Sequence, residues 1–114
     1  MYEKQVARGA ALLDRAAPGW AEQINLDRLA MQTCDRCILG QIYGDYALGF
    51  RAAIAGEDSQ TLFSPADHGF MLRLADDEYD SPILNDLLDI RFRALADAWR
   101  AEIAKRAGQA GAGA

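Results

Sequence analysis

The chain has 114 residues, 51% of them hydrophobic and 25% charged, with a net charge of -5 and an isoelectric point of about 4.7. That length suits one domain with a core of its own, and the composition is globular rather than disordered, so neither a metal nor a disulfide is needed to explain folding. The acidic balance argues against sequence-blind nucleic-acid binding, which needs a basic surface, and leaves room for a protein partner whose surface is basic.

Residues 3–17 read as a first helix, because Val6, Ala10, Leu13 and Ala17 fall at helical spacing, with Leu12 and Ala16 widening the apolar face. Arg8, Asp14 and Arg15 mostly occupy the other side. Pro18 and Gly19 end it, since proline lacks an N–H and clashes with the preceding turn. Trp20 then packs back on the helix as a core anchor. Residues 20–31 read as a short helical turn and a connector, with Asn25 or Asp27 capping a turn at Leu29. Thr33 is a good N-cap for a central helix from Cys34 to about Gly56, with Asp35 in its first turn. Ile38, Ile42 and Tyr46 form one stripe of it, and Leu39, Tyr43, Ala47 and Phe50 the next, so much of its circumference is apolar. Gly40, Gly44 and Gly49 each cost such a helix about 1 kcal/mol against alanine. That cost is best tolerated where another backbone comes close.

Residues 57–80 are expected to be irregular. Ser64-Pro65 opens a single turn that Gly69 closes, and Phe70 packs after it. Phe70, Leu72 and Leu74 alternate with Met71 and Arg73, which allows a short extended piece, and residues 76–80 form an acidic loop. Ser81-Pro82 starts the last helix, carried to about Ala107 by Leu84, Leu88, Phe92, Leu95, Trp99 and Ile103 on one face. Asp89–Arg93, Arg93–Asp97 and Glu102–Arg106 can pair one turn apart on its exposed side. The fold expected is mainly α: a single small domain over residues 1–107, with three principal helices, short turns and the acidic loop. Residues 108–114 form a flexible Gly/Ala tail. The expected core holds Leu13, Trp20, Ile38, Ile42, Tyr46, Leu88, Phe92, Leu95 and Trp99.

Cys34 and Cys37 raise the question of chemistry. Their C-x-x-C spacing at a helix start puts both sulfurs near the positive end of a helix dipole, which is how thiol-redox motifs lower a thiol pKa. Such chemistry wants a strand and a sheet around the motif, and neither is expected here. A structural zinc wants four Cys or His ligands, and the chain offers Cys34, Cys37 and a single histidine, His68. Two free thiols partly buried in the core are the favoured reading, with redox or zinc chemistry as the alternative. His68, in Ser64–Phe70, is read as bonding its own turn, and with no Gly-x-Ser-x-Gly elbow a hydrolase has no support. Gly40-x-x-x-Gly44 is read as close packing within the chain rather than a dimer seam. No phosphate loop, dinucleotide fingerprint or zinc-protease motif occurs, so the protein is read as non-enzymatic, without cofactor.

The most distinctive surface feature is acidic. Asp76, Asp77, Glu78, Asp80, Asp86 and Asp89 lie together with no Lys or Arg among them. They make either a solvated loop and helix start or a docking patch for a basic surface, such as that of a nucleic-acid-binding host protein. With no apolar run of ~18 residues and no basic-then-apolar leader, neither a membrane span nor a signal peptide is expected. Two cysteines in that setting suit a reducing cytoplasm, with the chain a monomer or homodimer.

The segments RGAALLD (8–14), PGW (18–20), LDRL (26–29), CILGQIYGDY (37–46), HGF (68–70) and LADAW (95–99), in this order, are similar to a family of short uncharacterised proteins of actinobacteria and their phages. The resemblance runs from about residue 8 to 103. It implies no catalytic residue. It implies a small cytoplasmic, phage-encoded protein that acts by binding, as a regulator or inhibitor of a host or viral protein.

Overall fold

The computed structural model describes residues 2–55 and 64–113, the last of these, from 108 on, as backbone alone. The chain is mainly helical, and no strand occurs among the described residues. Helix α1 (Glu3–Ala16) buries Val6, Gly9, Ala10, Leu12 and Leu13, the face set by its apolar spacing. It stops where Pro18 stands, and the short α2 (Trp20–Gln23) starts immediately after Gly19. Of the two capping candidates beyond it, Asn25 takes the role: its Oδ1 accepts from the Asp27 N–H at 3.0 Å, and its carbonyl from the Arg28 N–H at 3.1 Å. Ile24, Leu29 and Met31 of this connector are buried.

The central helix expected from Cys34 to about Gly56 is two helices. Residues 34–36 form only a turn, with the Cys37 N–H on the Thr33 carbonyl at 3.2 Å. Helix α3 (Ile38–Tyr43) is capped by Cys37, whose sulfur accepts from the Gly40 N–H at 3.3 Å, so Thr33 is not the N-cap and Asp35 lies before the helix. Gly44 ends α3 at φ +92°, a left-handed conformation that glycine adopts without steric cost. Asp45 then accepts from the Leu48 N–H at 3.1 Å and starts α4 (Tyr46–Ile54). A C-terminal glycine followed by an N-cap aspartate outweighs the apolar stripes that run in phase across it. Gly40 and Gly44 are not a helix-packing pair: a Cβ at Gly40 would lie 2.8 Å from Asp35 Cα in the turn just before α3, and one at Gly44 would meet nothing within 4 Å. The helix end near Gly56 and the irregular segment from Glu57 to Phe63 lie outside the described residues.

Ser64-Pro65 does open a single turn, Ala66–His68, closed by Gly69 and followed by buried Phe70. Residues 70 and 71 are bent and 72–74 have no regular secondary structure, with no strand among the described residues to pair with them. The expected acidic loop is a short 3-10 helix, Asp76–Asp80. Helix α5 (Leu84–Gly113) follows the Ser81-Pro82 signal and continues past Gly108, where each glycine costs a helix about 1 kcal/mol against alanine rather than ending it outright.

Trp99 is the centre of the core. It stacks on Phe70 with ring centroids 5.6 Å apart, meets the Trp20 ring edge-on at 5.7 Å, and donates its indole N–H to the Gly69 carbonyl at 2.6 Å. Leu13, Trp20, Ile38 and Leu95 are buried as expected, and Ile42, Tyr46 and Phe92 pack on the flank. Leu88 is only half-buried and stands outside the core cluster. The reason is length. Thirty residues of α5 span about 45 Å at 1.5 Å each, while among its residues up to Ala107 the buried ones run only from Leu95 to Ile103.

Candidate functional site

The six acids do not act as one group. Glu78 forms an ion pair with Arg91 of α5 and turns its other oxygen back on the Ala75 N–H at 2.9 Å. Arg91 beside it holds the Glu78 carboxyl below its usual range, and the Ala75 N–H adds to that. Glu78 therefore fastens the acidic turn to the first turns of α5. Asp89 pairs with Arg93 at 3.2 Å, both well exposed. Asp76, Asp77, Asp80 and Asp86 are exposed, and none has an ion pair among the described residues. Tyr79, between them, has 59% of its surface in solvent.

Cys34 and Cys37 part company. Cys34 is exposed and Cys37 buried, and both are free thiols. Burial pushes the Cys37 thiol up, against the hydrogen bond that its sulfur accepts from Gly40. Cys37 commits its sulfur to the α3 N-terminus, and the two thiols stand in different environments rather than as one matched exposed pair. Cys34, Cys37 and His68 do not assemble: no group of three or more His, Cys, Asp or Glu side chains fit to hold a metal stands among the described residues. A thiol reagent should label one cysteine in the native protein and two after unfolding in urea. Equal labelling rates in the native state would contradict the capping role of Cys37.

His68 sits against α1, its Nδ1 3.1 Å from the Ser64 carbonyl oxygen, in the turn it was expected to bond. Nearby, Arg73 donates to Ser64 Oγ at 2.8 Å and pairs with Asp67 at 3.2 Å. At the other end of α1, Asp14 accepts from the Trp20 indole N–H at 2.8 Å and from Arg106 through Nε at 3.1 Å and a terminal amine at 2.7 Å. Arg106 also pairs with Glu102 at 2.6 Å and lies 5.4 Å from the Trp20 ring centroid. Its guanidinium holds the Asp14 carboxyl below its usual range. An open cleft of about 280 Å³ runs beside this clamp, lined by Ala21, Glu22, Ile103 and Ala107. The charged groups of the clamp already satisfy one another, so it ties α5 to α1 and offers a ligand no unengaged group. A second cleft, of similar size and more polar, lies by Arg28, Asp35 and Arg36. Its Gln41 amide bonds the Asn25 and Arg36 carbonyls at 3.2 and 2.9 Å.

What sequence reasoning missed is apolar. Ile83, just before α5, and Ile90 within it are 53% and 63% exposed. Two stripes on one helix oppose each other in any average over its faces, so the stronger inner stripe hides the outer one. Among the described residues, no helix is long and apolar enough to cross a membrane. No known protein-family model, curated protein or solved structure matches this chain.

Proposed function

We propose that the protein works by binding another protein, non-enzymatically, through the acidic turn Asp76–Asp80 at the start of α5. The observation that carries this is Tyr79, a large aromatic left in solvent among Asp76, Asp77 and Asp80, whose carboxylates have no ion pair among the described residues. An amphipathic aromatic ringed by charges of one sign is the composition of a recognition surface, and its sign selects a basic partner. The pairing of Glu78 with Arg91 supports the same reading, because it holds the turn in place before a partner arrives and lowers the ordering cost of binding. The resemblance to short actinobacterial and phage proteins suggests a cytoplasmic regulator or inhibitor. Redox or zinc chemistry at Cys34 and Cys37 is the weaker alternative, since Cys37 is buried and caps α3.

The test is binding before and after charge reversal. Asp76→Lys, Asp77→Lys and Asp80→Lys together should weaken capture of a basic partner by about tenfold or more, and wild-type affinity should fall as salt rises. Stability should change by no more than about 0.5 kcal/mol per exposed site. Undiminished, salt-insensitive binding by the triple variant would refute the acidic-turn mechanism.

A further inference from the structure

Ile83, Leu87, Ile90 and Ala94 follow one another at spacings of four, three and four, the a/d spacing of a coiled-coil seam. At about 100° per residue they lie opposite the inward face of Leu95, Trp99 and Ile103. The Leu87 N–H bonds the Ile83 carbonyl at 2.9 Å, which sets Ile83 at the N-terminal boundary of α5. Ile83 and Ile90 stand exposed and Leu87 and Ala94 are half-buried, so the stripe presents two isoleucines to solvent on a partly covered apolar strip.

The geometry points to a second copy of this chain as its occupant, with the two α5 helices antiparallel over residues 83–94. A two-fold contact must be complementary to itself. Asp86 and Arg93, one heptad apart, flank the ridge on one side. In the antiparallel register Ile83 meets the partner's Ala94 and Leu87 meets the partner's Ile90, large against small at the ends and large against large within. The same register sets Asp86 beside the partner's Arg93, and symmetry makes that ion pair twice. Arg93 is free to exchange partners, because its bond to Asp89 is solvated on both sides, with 77% and 52% of the two side chains exposed. A parallel pair would bring the two Asp76–Asp80 turns together and repel. The antiparallel pair leaves its two acidic turns at opposite ends, so a dimer would present the proposed binding turn twice.

Sedimentation equilibrium of the full chain should give twice the 12.5 kDa mass, reversibly with dilution. Ile90→Asp, at an exposed position, should leave helicity and melting unchanged and weaken the dimer by more than about tenfold. Asp86→Arg alone and Arg93→Asp alone should each weaken it, and the two together should restore it. A protein that stays monomeric at roughly 1 mM overturns the inference. So does a dimer that survives Ile90→Asp, while failure of the double exchange to restore association overturns the antiparallel register. Charge reversal at positions 76, 77 and 80 should leave the dimer mass intact, so failure of the binding turn and failure of the dimer are read separately.

Discussion

Replacing Trp99 by alanine should destabilise the protein by about 3–5 kcal/mol, the range for deleting a large aromatic from a packed core. Three separate losses add up there. The indole is fully buried, so its whole apolar surface is at stake. It is the ring shared by Phe70, stacked at 5.6 Å, and Trp20, edge-on at 5.7 Å, and each such pair is worth about 0.5–1.5 kcal/mol beyond area. Its N–H satisfies the Gly69 carbonyl at 2.6 Å in the interior, and an acceptor left unpaired there costs about 1–3 kcal/mol. Against a total stability of roughly 5–15 kcal/mol for a small domain, the loss is a large fraction. Trp99→Phe separates the contributions, keeping a stacked ring and removing the hydrogen bond, and should cost less than the alanine variant. Urea unfolding followed by far-ultraviolet circular dichroism measures both. A loss below about 1 kcal/mol for Trp99→Ala would mean that the core closes without this residue.

Legibility in the sequence divides along one physical line: what is encoded within a few turns of chain can be read, and what depends on pairing across the fold cannot. Helix α1, the turn before Phe70 and the inner stripe of α5 from Phe92 to Ile103 follow from local spacing and from Pro18, Gly69 and Ser81-Pro82, while Leu84 and Leu88 of that stripe fall outside the core. The break at Gly44-Asp45 was also local, but ambiguous. The apolar positions on either side continue in phase, so a glycine that ends α3 looks like a glycine tolerated within a longer helix. The acidic run was plain in composition, yet the residue that divides it is Arg91, outside the run, which reaches Glu78 only because the turn folds back on α5. Likewise the Glu102–Arg106 pair follows from helical spacing, whereas Asp14, which takes two bonds from Arg106, lies 92 positions away. The exposed ridge at Ile83 and Ile90 was present in the periodicity and masked by the stronger stripe on the same helix.

Gly9→Ala should destabilise the protein as well, although alanine is the better helix former. In open space that exchange within α1 would stabilise by about 1 kcal/mol. Gly9 has no open space. A Cβ there would press into the His68 carbonyl oxygen, with the His68 carbonyl carbon and Phe70 Cζ each 3.1 Å away. A flexible side chain could yield, but a carbonyl moves only with its turn. That turn is itself seated on α1, because a Cβ on Gly69 would lie 2.9 Å from Val6 Cα. The two glycines face each other's chain, and separating them pulls the Gly69 carbonyl from the Trp99 indole. Overpacking of this kind costs about 1–3 kcal/mol, enough to outweigh the gain in helix propensity. The exposed position two residues earlier supplies the control: Ala7→Gly should lose only the propensity difference, about 1 kcal/mol. Because Gly9 acts through the turn that Trp99 bonds, Gly9→Ala and Trp99→Phe should be non-additive by about 0.5 kcal/mol or more in a double-mutant cycle. Simple additivity, or a stabilised Gly9→Ala protein, would show that α1 and the turn at Gly69 are not held in direct backbone contact.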